Sequence, residues 1–149
     1  MPISVASPPS ARGLAIPLRA LLRAALAREA RVPGDIDVLL ADDRTLRALN
    51  RRWRGLDRAT DVLSFARTHL PGRRVSGDLA ISLERVEEQA RRYRVSRGRE
   101  LARLVVHGAL HLAGHDHAHA AERRRMRAAE DRTLRGARAD IARLDRALG

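Results

Sequence analysis

The chain has 149 residues, 44% of them hydrophobic, with 30 basic side chains against 18 acidic ones and a formal charge of +12. That is enough chain for one packed core without disulfide staples, and the composition excludes collagen-like, low-complexity and wholly disordered classes. Cysteine is absent, which removes disulfide frameworks, thiolate zinc ribbons, iron–sulfur clusters and cysteine nucleophiles.

Residues 1–13 carry Pro2, Pro8 and Pro9 among small and hydroxyl residues and predict a flexible start, followed by one domain over 14–149. Leu18, Leu21, Leu22, Ala25 and Leu26 recur at helical spacing and predict an amphipathic helix over about 16–31, ended by Pro33-Gly34. Met1 to Leu26 has arginine and serine but no acid, faintly like a transit peptide; the first-helix reading is preferred. Ile36 to Leu40 reads as a strand, and Asp42 or Asp43 caps a second helix over about 43–53. Val62 to Ala66 and Leu79 to Ser82 read as further strands. Ser82 caps a helix over about 83–94, and another runs from about 97 to 113, where Gly114 stops it. A last helix covers about 119–147. The sum is an α+β single domain, a small sheet of about four strands against about five helices. No apolar run reaches the roughly 18 residues of a membrane span, so a cytoplasmic protein without a membrane partner is expected.

Every basic residue is arginine. The excess over acids attracts polyanions, with a solvated basic surface as the alternative. Between positions 51 and 75, Arg51, Arg52, Arg54, Arg58, Arg67, Arg73 and Arg74 face only Asp57 and Asp61. Arg51, Arg52 and Arg58 are the candidate contacts to a polyanion such as a nucleic acid.

Five of six histidines fall between positions 107 and 119. His107 and His111, four apart on a predicted helix, leave the same face one turn apart, the spacing at which two imidazoles share a metal ion. Gly114 lets the chain turn so that His117 can return as the third ligand. The site then sits in a groove at a helix C-terminus, with the fourth tetrahedral position open for water. His115 is the alternative if the helix continues. His119 and His69 read as surface residues. The spacing also matches a metzincin-type protease, but that chemistry needs glutamate directly after the first histidine, and Gly108 stands there.

The stretch His107-Gly108-Ala109-Leu110-His111-Leu112-Ala113-Gly114-His115-Asp116-His117 resembles the signature of the YbeY family of bacterial zinc-dependent endoribonucleases. Leu49 to Arg54 with Thr60 to Phe65, and Gly77 to Ser82, resemble the family's other two blocks, in the same order. The resemblance spans roughly residues 35–130. It implies one zinc ion per chain on His107, His111 and His117, and a functional role for Arg54. It further implies maturation of single-stranded ribosomal RNA at the small-subunit 3′ end, with the small ribosomal subunit or its assembly factors as partners.

Phosphodiester cleavage needs a nucleophile, charge stabilisation and leaving-group protonation. Zinc activates water or acts as a Lewis acid, and the Arg54 fork suits a phosphate, with a salt bridge to an aspartate as its structural alternative. Asp116, beside His117, is the candidate acid or base, or else orients an imidazole. Asp61 and Asp78 read as turn or sheet-end residues. Two alternatives stand beside the ribonuclease: a non-catalytic ribosome-assembly factor with structural zinc, and a metalloprotease-like zinc hydrolase of another bond.

Overall fold

The computed structural model describes residues 3–67, 73–115 and 118–149. Among them the chain forms strands β1 (Ile3–Ala6), β2 (Val32–Ala41), β3 (Val62–Ala66) and β4 (Arg74–Ser82). Six helices accompany them: α1 (Ala15–Arg28), α2 (Asp43–Arg54), α3 (Leu83–Tyr93), α4 (Arg97–Leu112), α5 (Ala120–Arg135) and α6 (Arg138–Leu148). The sheet order is β1-β2-β4-β3, with β3 antiparallel to β4 and the other pairs parallel. This is the expected α+β single domain.

Strand alternation divides the sheet into two faces. Ile36, Val38 and Leu40 of β2 and Val75, Leu79 and Ile81 of β4 enter the main core with the leucines of α1 and α4. On the opposite face, Leu46 of α2 closes a smaller core with Leu63 and Ala80, flanked by Leu39, Leu49 and Phe65. Helix α4 is the hub: it packs against α1, α3, α5 and α6 and against β3 and β4. Ser96 caps it by accepting from the Arg99 amide at 3.1 Å, and Asp145 of α6 accepts the Gly98 amide at 2.6 Å.

Three expectations are corrected. The N-terminus, predicted loose, includes β1, whose Ile3 is fully buried and pairs with Ile36. Pro33-Gly34, predicted to end a helix, lies within β2 at a register shift between Pro33 and Ile36, so the breaker pair marks a bulge. The single helix expected over 119–147 is two, because α5 ends at Gly136 and α6 begins after buried Ala137. The count of helices among the described residues is therefore six rather than five.

Candidate active-site cleft

Helix α4 ends in a Schellman arrangement. The Gly114 amide donates to the His111 carbonyl at 3.0 Å and the His115 amide to the Leu110 carbonyl at 2.9 Å, while Gly114 takes φ +103°. The chain turns sharply a few residues past the histidine pair. His107 and His111 lie upstream on one face, their ring centroids 4.9 Å apart and their planes at 66°.

Both rings line a cleft of about 370 Å³ whose other walls are Asn50 and Arg54 of α2, the 56–61 loop and the start of β3. Arg54 closes the last turn of α2, which stops at Gly55 with φ +68°. Its guanidinium donates to the Ser64 carbonyl at 2.5 Å and stacks 5.0 Å from the centre of the Phe65 ring. No carboxylate among the described residues pairs with it, so the salt bridge considered from sequence is replaced by a carbonyl contact that keeps its charge. Arg58 lines the same cleft, and its carbonyl accepts from the Asn50 amide at 3.1 Å.

The other expected RNA contacts lie elsewhere. Arg51 and Arg52 are exposed on α2 outside the cleft, with Arg52 stacked 5.1 Å from the Trp53 ring centre. Asp61 lines the cleft, yet its carboxylate accepts the neighbouring Val62 amide at 2.8 Å and its carbonyl accepts the Ser82 amide at 2.9 Å. Asp78 shares Arg67 with Asp37, beside a larger, mainly apolar cleft of about 590 Å³ that has no histidine among its described walls. The Ser4 hydroxyl and Arg67 hold the Asp37 carboxyl below its ordinary value. His115 is not among the walls of this cleft and meets the Glu29 carboxylate of α1 through Nε2. His119 is exposed at the start of α5. Asp116, His117 and His69 lie outside the described residues.

Sequence reasoning missed Glu130. This residue of α5, only 8% exposed, places Oε1 2.5 Å from Nδ1 of His107. With Nδ1 as the donor in this contact, the tautomer favoured is the one in which Nε2 is the ligating nitrogen. The only signal in the sequence was an acid beside apolar Ala129 on an otherwise arginine-rich helix. A metal centre fits the described residues to this extent: two imidazoles share one face, and one of them has a carboxylate at Nδ1 to orient it.

Gly108, between the two histidines, has a steric cause. A Cβ there would lie 2.7 Å from Cδ2 of Leu79, because α4 rides closely over β4. A side chain there, such as the glutamate that a zincin places after its first histidine, would force Leu79 to shift.

Comparison with known proteins accords with this geometry. The sequence model described as Endoribonuclease YbeY matches residues 15–138. An Endoribonuclease YbeY of Anaeromyxobacter sp. (strain Fw109-5) is 47% identical over 110 residues, covering 73% of this chain and 57% of that protein. One of Roseiflexus sp. (strain RS-1) is 50% identical over 93 residues, covering 57% and 58%. The chain thus spans a little over half the length of these two relatives. The solution structure of TM1509 from Thermotoga maritima superposes with a TM-score of 0.63 at 28% identity, covering 91% of this chain and 88% of that one. The chain belongs to the Endoribonuclease YbeY family.

Proposed function

We propose that the chain is a zinc-dependent endoribonuclease that cuts single-stranded RNA, acting in the cytoplasm at the 3′ end of the small-subunit ribosomal RNA. In this reading the small ribosomal subunit or its assembly factors present the substrate, and the same cut serves ribosome quality control. The observation that carries it is the meeting of the His107–His111 pair with the Arg54 guanidinium in one cleft. His107 and His111, with His117 as third ligand, hold one zinc ion per chain.

Zinc bound there supplies Lewis acidity toward a phosphoryl oxygen and lowers the pKa of a water. The chain's own residues do the rest. Arg54 receives a non-bridging phosphate oxygen, and its bond to the Ser64 carbonyl fixes the fork before substrate arrives. Arg58 adds positive charge along the same wall. Glu130 orients His107. Asp116, next to His117, holds or moves a proton at the leaving oxygen.

The assembly-factor reading requires zinc with four protein ligands. His115, another imidazole among the described residues, is already engaged by Glu29, which favours the open site. The protease reading lacks its base, and the Leu79 contact at Gly108 speaks against one being accommodated.

The test compares cleavage of a single-stranded fragment from the small-subunit ribosomal RNA 3′ end with the same strand annealed, and measures metal in His117→Ala and His115→Ala. Chelator-sensitive cleavage of the single strand, with metal lost only from His117→Ala, is expected. Metal loss from both variants, without cleavage by the wild type, would favour a structural site.

A further inference from the structure

His107 is a wall shared by two grooves. On one side lies the cleft with Arg54 and Arg58; on the other, between α4 and α5, lies a second groove of about 230 Å³. Arg103, Arg123 and Arg127 line this second groove over buried Met126 and Glu130. Arg123 and Arg127 stand one turn apart on α5, so they share a face, and both are exposed. Like charges at this spacing repel one another along a helix face.

Two acids near the groove already have partners among the described residues. Glu130 engages Nδ1 of His107 at 2.5 Å. Glu100, outside the groove, takes two bonds from Arg103, at 2.8 and 2.7 Å, which hold that guanidinium further above its ordinary pKa and fix its direction. Arg123 donates to the Ala118 carbonyl at 3.3 Å. Among the described residues, Arg127 makes no hydrogen bond or ion pair through its side chain. The described side chains lining the groove thus include three guanidinium groups, of which Arg103 is held by Glu100, and one carboxylate, which His107 already occupies. No aromatic ring other than that imidazole is among them, so the groove offers little platform on which a base could stack.

We propose that this groove is a second phosphate-binding subsite, which takes a backbone phosphate of the RNA strand on the far side of His107 from Arg54. The strand then crosses the histidine pair, anchored by arginine on both flanks and read for its charge rather than its sequence. The proposal rests on the endoribonuclease reading and adds the path of the substrate.

Binding of a labelled, single-stranded 2′-O-methyl RNA oligonucleotide to the full chain, measured by anisotropy across a salt series, tests it. Arg127→Ala and Arg123→Ala/Arg127→Ala should weaken binding several-fold and lower the slope of log affinity against log salt by about 0.7 for each phosphate left without its arginine. Arg127→Lys should keep the slope. Arg23→Ala, exposed on α1 outside both grooves, should change neither. Unchanged slopes in the groove variants, or an equal drop in Arg23→Ala, would overturn the subsite while leaving the endoribonuclease reading intact. A wild type that neither binds nor cleaves RNA would overturn both.

Discussion

Oε1 of Glu130 lies 2.5 Å from Nδ1 of His107, across the packing of α5 on α4. With Nδ1 donating, the contact orients the ring of one candidate ligand. Glu130→Gln keeps the size but can present a donor to a ring nitrogen that needs an acceptor. We expect it to weaken zinc binding by about 10- to 100-fold in a competition titration with a chromophoric chelator. Its circular dichroism should match the wild type. Unaltered zinc affinity would remove Glu130 from the site.

Arg54 answers to a different measurement. Among the described residues its guanidinium meets the Ser64 carbonyl and the Phe65 face, neither of which carries a metal ligand. Arg54→Ala should therefore retain full zinc content while RNA cleavage falls by about 100-fold or more, the usual scale for removing a charge-stabilising donor. Arg54→Lys should recover only part, since an ammonium cannot offer two parallel bonds. Cleavage at the wild-type rate in Arg54→Ala would contradict its assignment.

Gly108 tests the packing that holds the pair. Alanine improves helix propensity by about 1 kcal/mol. A Cβ placed 2.7 Å from the buried Leu79 side chain costs more, so Gly108→Ala should lose a net 1–2 kcal/mol, roughly, in urea unfolding. A Gly108→Ala/Leu79→Ala double variant should be less than additive, because the smaller side chain relieves the clash. Full additivity would show that the close approach is not what selects glycine.

Asp37 gives the pH dependence its sign. Ser4 and Arg67 hold its carboxyl below the ordinary value of 3.8, so the unfolded chain binds its proton first as acid is added. The stability it contributes is full above that value and is lost as the pH falls through the lower folded one. Asp37→Asn should be less stable than the wild type at neutral pH, with the gap closing below the ordinary carboxylate value. Denaturant titrations near pH 7 and near pH 3 check this; a gap that stays constant would contradict it.

Local signals carried much of the fold. Helix α2 is announced by its Asp42 cap, α3 by Ser82, and α4 by Leu101, Leu104 and Leu110 with Gly114 beyond. The elements that escaped depend on partners distant in sequence. Ile3–Ala6 is short and flanked by prolines, and becomes a strand only through pairing with β2. Arg74 to Asp78 extends β4 because β2 runs alongside it. The break at Gly136 was hidden because alanine and arginine continue at helical spacing on both sides. In the site, His107, His111 and Arg54 were legible because spacing and motif fix them. Glu130 was not, since it reaches His107 only through the packing of two helices.

The function proposed for this chain turns on a metal-dependent cut in RNA made at the histidine cleft. Cleavage of a single-stranded ribosomal RNA fragment by the wild type and by His111→Ala, purified side by side, decides it. Cleavage by the wild type, abolished by a chelator and restored by zinc, is predicted, with none by His111→Ala. Equal cleavage by both proteins would place the activity outside this cleft and contradict the proposal.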